Sequence, residues 1–599
     1  MNPSSLLRGA LILLSSCASA IADPTSYFPG VAADEKSVYT DWVIGSSSAY
    51  PRHAYMSHDD DDDDDGGAAV FWNVDGDAIH LAIVVRALGW VGVGFSEAGG
   101  MIGSDVAIFR ASDPSVVVDA HVVGDRSTPM TDDCQDWTLD AAIATGEDGW
   151  MIVEISRSID TGDSQDRAIV SDADLWHAPT RMIAAWGDDD EASYHGARRA
   201  RGSVRIFANY TGEVTEGQAL LGALEVESDG FFDVVQDEYD IPAEETTYHY
   251  LCKTFDELNI TSSVTMTGAK NCDAYAIDSF LYRTMLYGWA PGDEGVVLPN
   301  DVGLPLFDDE NKQAISVEIH YHNPSLLSGT KDSSGIRFYY ANNERTHRAG
   351  ILEIGDPWIE LYDTKINDGL TQYSFTCPGE CSSTFLAQEG VTILAESLHM
   401  HKTGVRMTNE VIRGGEVFHK AVVDVYDFDQ QGSFQTPQEA YQLLPGDSFR
   451  TTCYYKDGSK FGIGSEDEMC IAFIWYYPAR SLLGMPWICP HGIPDYGTGC
   501  STELEFVDLD SDDDLGRSFG VSSGECAAKP TVDTSTIDST SGLVAAAFPV
   551  SSVSETPAPS ESPTRPVAIS AKHQGSAAGF SFSFVTAVSV LMVSIFMLP

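Results

Sequence analysis

Positive charge is what this 599-residue chain has least of: 34 lysines and arginines stand against 90 aspartates and glutamates, a net charge of −56. Such a surface repels phosphate backbones and anionic headgroups at physiological salt, which argues against nucleic acid as a partner. Cations, amines and metal ions are the ligands it favours. Helical periodicity is also missing: from about residue 240 onward no convincing 3.6-residue apolar pattern emerges, and no internal repeat recurs at a fixed short period. The length exceeds what one core organises and implies about two to four domains.

Long apolar runs are confined to the two ends. The first begins at Arg8 and fades into small residues; Ala18-Ser19-Ala20 and Ala20-Ile21-Ala22 both suit signal-peptidase cleavage, so residues 1–22 read as a signal peptide. The last, residues 580–599, carries no charge and no basic flank behind it. It reads as a glycolipid-anchor signal or a single membrane span, and either places the protein at the cell surface or outside the cell. Residues 527–579, rich in Ser, Pro and Thr, read as a disordered tether. Of 11 cysteines Cys17 leaves with the signal peptide; the remaining ten, in an oxidising compartment, favour five disulfides. Asn209 and Asn259 head possible glycosylation sequons.

Between these ends the chain reads as all-β. Residues 38–209 contain short apolar or alternating runs such as GWVGVGF and WMIVEISR between Gly/Asp turns, the spacing of a β-sandwich. The run Asp59 to Asp65 interrupts them and reads as a solvated loop rather than a calcium site. Residues 240–345 and 348–526 read as two further β modules.

Histidine supplies the chemical signals. In EIHYHNP, His320 and His322 share one face of an extended strand; in ESLHMHKTG, His399 and His401 do the same. Two imidazoles at that spacing can chelate one ion. Met469 adds a soft thioether, which favours copper over zinc or magnesium.

Taken in order, TTYHYLC, EIHYHNP, AGILEIG, CPGEC, LHMHKTG, LLPGDSFRTTCYY and EDEMCIAFIWYYP resemble the copper type II ascorbate-dependent monooxygenases of the dopamine beta-monooxygenase kind, over about residues 240–500. GWVGVGFSEAGGMIGSDV, CQDW and SYHG are similar to the DOMON domain that precedes the catalytic pair in such proteins. The resemblance implies a DOMON β-sandwich followed by two jelly-roll copper modules. It carries His399, His401 and Met469 onto the copper that binds dioxygen and faces substrate, and His320 onto the copper that relays electrons from ascorbate. Tyr248 matches a tyrosine with an active-site role. Met101 and His195 resemble the axial pair by which some DOMON domains bind haem b. The resemblance also pairs Cys252 with Cys272, Cys377 with Cys489, Cys381 with Cys500, Cys453 with Cys470, and Cys134 with Cys526.

One departure matters. The family's other two electron-relay ligands form an adjacent His-His pair between the positions of Cys252 and Cys272; here residues 253–271 contain no histidine, and no His-His pair occurs anywhere in the chain. His249 and His322 are the nearest substitutes. The expectation is therefore a copper enzyme hydroxylating a small amine or phenol with dioxygen and ascorbate, since Ser397 stands where the peptide-amidating branch has its carboxylate-binding arginine. The alternative is an impaired surface protein whose first module binds a ligand or haem.

Overall fold

In the computed structural model, described residues run through most of 49–521, with main gaps at 57–66, 214–227, 255–283, 305–313, 481–488 and 491–501, and include Trp42, Cys526 and 589–598. The signal peptide, the Asp59–Asp65 run, both sequons and the 527–579 tether lie outside the described residues.

Two six-stranded sheets build the first sandwich. One runs 212–213, 52–56, 68–75, 78–86, 150–158, 138–144; the other runs 199–204, 180–187, 90–96, 104–110, 117–121, 130–131. Strand Trp90–Ser96 is buried along its whole length, which explains its unbroken apolar reading. Gly94 is required there, because a β-carbon would sit 1.9 Å from the Asp105 carbonyl of the neighbouring strand. Trp72, Met151, Met182 and Trp186 fill the space between the sheets.

The second module holds a four-stranded sheet ordered 246–254, 314–322, 589–598, 284–289. The segment Ser589–Leu598, which the sequence suggests is an anchor signal or membrane span, is thus a strand paired with Ala314–His322 and Thr284–Trp289. A ten-residue apolar run rich in Val, Ile and Leu suits a central place in a sheet as readily as a bilayer. Among the described residues no helix is long and apolar enough to cross a membrane.

In the third module a sheet centred on 391–399, 471–477 and 350–355 faces a five-stranded sheet ordered 416–423, 404–413, 448–456, 370–377, 503–508. Leu352, Phe375, Val411, Phe449 and Ile474 lie in the core between them. A short helix, Gly379–Leu386, interrupts this otherwise all-β module.

Cys134–Cys526 and Cys453–Cys470 are disulfide-bonded, as the resemblance implies. Cys377 and Cys489 are buried side by side as thiols, and the Cys489 sulfur is 3.3 Å from that of Cys381. The segment before Cys526 straps the first sandwich to the third module. Arg517 donates to the Val123 carbonyl at 3.2 Å, Gly520 N–H to Ser164 O at 2.8 Å, and the Asp424 carboxylate accepts the Ser518 and Phe519 amides at 3.0 and 3.1 Å.

Candidate metal centre

Strand Val391–His399 ends on the first histidine of the H-x-H pair, and both rings are buried. Their centroids are 5.1 Å apart and their planes nearly perpendicular, at 84°. Each ring is held by its Nδ1. His399 Nδ1 donates to Gln431 Oε1 at 2.8 Å; His401 Nδ1 lies 3.0 Å from the carbonyls of Gly464 and Asp467. These oxygens only accept, so each Nδ1 carries the proton and each Nε2 keeps its lone pair. His399 Nε2 is buried and, among the described residues, has no hydrogen-bond partner. Burial lowers His399 to about 4 and, together with His399 and His320, drives His401 well below the usual histidine range. Both imidazoles are therefore neutral at physiological pH, the form that binds metal.

The strand pairing sets His399 opposite Ile471. Continuing that register by two residues places Met469 across from His401. Met469 is buried, and its carbonyl accepts Tyr455 Oη at 2.7 Å. Glu468, fully buried, accepts the backbone amides of His401 at 2.9 Å and Thr403 at 2.6 Å. Desolvation pushes its carboxyl up to about 7, against those donors. This clamp ties the H-x-H turn to the residue before Met469; with 67 residues between the partners, no local motif marks it. Gln431, likewise unforeseen, lies 32 residues from His399.

The donor set fits copper: two neutral imidazoles with fixed tautomers, one unpartnered buried ring nitrogen and a thioether in register.

His320, from the second module, is buried near this pair; desolvation, with His322 and His399 nearby, lowers it to about 4. The structure thus draws His320 towards the H-x-H pair. His322 is otherwise engaged. Lys402 Nζ lies 3.4 Å from its Nε2 and pairs with Glu466, whose carboxylate is 3.5 Å from the same nitrogen. His249 stacks on Tyr239 with centroids 3.8 Å apart. Tyr248 is opposite His320 in the strand register.

Met101 and His195 do not come together. Arg181 pairs with Ser96 and Gly187 with Trp90, so the turn after Ser96 that carries Met101 and the hairpin after Gly187 that carries His195 lie at opposite ends of one sheet. Seven strand residues separate those ends by about 20 Å, several times the span of a haem's two axial donors. His195 instead stacks on exposed Tyr194, with Nδ1 3.1 Å from the Gly196 carbonyl. The motif order was right for a haem pair, but sheet register decides which ends meet. The Met101 loop packs on the third module: β-carbons at Gly100 and Gly103 would lie 2.8 Å from Gln430 Cγ and 3.2 Å from Val425 Cβ.

Sequence profiles of three domain families match the chain: the DOMON domain over residues 64–177, and the N-terminal and C-terminal domains of copper type II ascorbate-dependent monooxygenase over 261–328 and 347–485. The chain is 27% identical to DBH-like monooxygenase protein 1 of Homo sapiens over 486 residues, covering 73% of this chain and 75% of that one. Tyramine beta-hydroxylase of Caenorhabditis briggsae is 31% identical over 203 residues, 33% of this chain and 34% of its own. Dopamine beta-hydroxylase of Homo sapiens is 30% identical over 208 residues, 33% of each. A solved cytochrome domain of Myriococcum thermophilum cellobiose dehydrogenase covers 24% of this chain and 77% of its own at 11% identity, with a TM-score of 0.18, too low to extend the comparison.

Proposed function

Because the chain belongs to the copper type II ascorbate-dependent monooxygenase family, we propose that it hydroxylates a small amine or phenol, using dioxygen and electrons from ascorbate, at a copper held by His399, His401 and Met469. The observation that carries this reading is the buried, unpartnered Nε2 of His399 beside a second ring whose Nδ1 is also pinned. Bound copper would supply one-electron chemistry and dioxygen activation.

The chain's own residues position the rest. Gln431 and the Gly464–Asp467 turn fix which ring nitrogens face the metal; Glu468 fixes the backbone between the two histidines. Met285 and Trp475 pack with Met469 and give the centre an apolar, water-poor wall. The acidic surface favours a cationic substrate over an anionic one, and Ser397 offers no charge to a peptide carboxylate. His320 is the one electron-relay ligand of the family present, with Tyr248 beside it. A lone imidazole does not make a second copper site of ordinary affinity, so we assign one firmly bound copper per chain. The signal peptide read from the sequence and the disulfides support a secretory, oxidising location.

Copper per chain and ascorbate-dependent oxygen uptake, measured on wild type and His399→Ala, test this reading. One copper, lost in the variant, with uptake stimulated by an amine or phenol is expected. Copper-loaded protein that consumes no oxygen across such substrates would instead identify an impaired surface protein.

A further inference from the structure

The face of the third module that carries His399 also carries one buried carboxylate. Strand Gly350–Gly355 lies two strands from Val391–His399, with Ile471–Tyr477 between them. Directly opposed residues share a face, so the register sets Ile471 and Gly355 in the row of His399, and Phe473 and Glu353 in the row of Ser397. The row beyond holds Ala395, Trp475 and Ile351. Met285 and Val302 of the second module pack with Ile351, Phe473 and Trp475, so this face is the one turned towards the neighbouring module.

Packing does not account for Glu353. It is buried, and apart from His399 it is the one ionisable residue in the three rows. Keeping a carboxylate out of water among Phe473, Ile351 and Trp475 is costly, and a leucine would fill the same place without that cost. Its surroundings on the copper side are small. Ser397 is short, and Gly355, the next residue of the strand on this face, adds no side chain. At φ 93°, with a β-carbon that would sit 2.4 Å from the Cys470 carbonyl, only glycine fits there. A strand spacing of about 4.8 Å and a rise of about 3.4 Å per residue put Glu353 about 12 Å from His399 across the sheet. A small molecule laid over Ile471 and Phe473 bridges that distance, one end beside the histidine and the other at the carboxylate.

We infer that Glu353 anchors the ammonium group of a primary amine substrate and so points the rest of the molecule over Ile471 towards His399. The inference rests on the monooxygenase reading and narrows it from amines and phenols to amines. An ammonium gives the carboxylate charge-assisted hydrogen bonds and neutralises its buried charge; a neutral hydroxyl gives it one hydrogen bond and leaves the charge uncompensated. Phe473 and Trp475 supply an apolar wall for the hydrocarbon part. Ser397 puts no positive charge in the row, and the acidic surface draws cations towards the protein.

The test compares equilibrium binding of phenylalkylamines, from benzylamine to 4-phenylbutylamine, with that of the matching phenylalkanols, by calorimetry on the full copper-loaded chain without ascorbate. Each pair keeps ring and linker and changes only the charged head. Wild type should bind its best amine about 100-fold tighter than the matching alcohol, and Glu353→Gln should bring the two within about threefold. Glu505→Gln, a charge removed from an exposed strand, should keep the full preference. Should Glu353→Gln not fold, Glu353→Asp decides: withdrawing the carboxylate by one methylene should weaken amine binding about tenfold and leave the alcohol's affinity unchanged. An amine preference absent from wild type, kept in full by Glu353→Gln or Glu353→Asp, or lost in Glu505→Gln overturns the assignment. Binding needs no turnover, so the two readings fail separately. A chain that prefers amines through Glu353 but takes up no oxygen is no monooxygenase, whereas one that takes up oxygen without amine preference has no ammonium anchor.

Discussion

Gln431 accepts the Nδ1 proton of His399 at 2.8 Å, while its own backbone N–H donates to the Pro291 carbonyl of the preceding module. One residue therefore sets the orientation of a candidate copper ligand and seats one module on another. The segment around it, Asp427 to Gln431, also receives the DOMON loop at Gly100.

Replacing Gln431 by alanine frees His399 Nδ1 and its tautomer. Copper affinity should fall about 10- to 100-fold with the fold retained. Competitive titration against a copper chelator, alongside circular dichroism, reads both; unchanged affinity would show that the Gln431 contact does not orient the ring.

Gly100→Val places carbon where Gln430 Cγ and Asp427 Oδ2 now lie, at 2.8 and 2.9 Å from the added β-carbon. Overpacking there should cost about 1–2 kcal/mol. The same displacement should weaken copper binding at His399 through Gln430 and Gln431, although residue 100 is in another domain. Thermal melts and copper titration measure the two effects separately.

Arg406 is buried, and its Nε donates to Asp424 at 2.9 Å. Arg406→Ala leaves Asp424 buried with only backbone donors and should destabilise the protein by about 3–5 kcal/mol. Despite desolvation, the Arg406 guanidinium and the Ser518 and Phe519 amides hold the Asp424 carboxyl below its ordinary value of 3.8. Its contribution is thus present above that pH and is lost as pH falls through the lower folded value. In denaturant titrations at successive pH values, the variant should show a weaker acid-side loss.

His53, on strand Arg52–Met56 beside Phe71, is lowered by burial to about 4. The unfolded chain binds this proton near 6.5 and the folded one does not, so stability falls as pH drops from about 6.5 towards 4. After solvent screening of this partly exposed ring the loss is about 1 kcal/mol. His53→Gln should flatten stability across that window; an unchanged pH profile would assign the acid sensitivity elsewhere.

The sequence conveyed what depends on neighbours along the chain. Alternation on one strand put His399 and His401 on a common face, and their rings do meet. It could not convey what depends on register between strands. Asp105, Asp119 and Asp166 follow no period, and only the stacking of two sheets brings their oxygens together. Met101 and His195 fail for the same reason in reverse: motifs that suggest a pair are carried to opposite ends of a sheet. Gln431 and Glu468 escaped notice because a glutamine or glutamate far from a histidine carries no local mark of the bond it makes. The tail 589–598 was ambiguous at its root, since apolar composition alone does not separate a bilayer span from a central strand.

The Cys134–Cys526 bond joins residues 392 positions apart. It closes the chain into a covalent ring that contains the second and third modules. A protease cutting once anywhere inside that ring opens it without releasing a fragment, so a nicked molecule keeps its full mass until it is reduced. Electrophoresis without reductant would thus report an intact protein where the backbone is already broken.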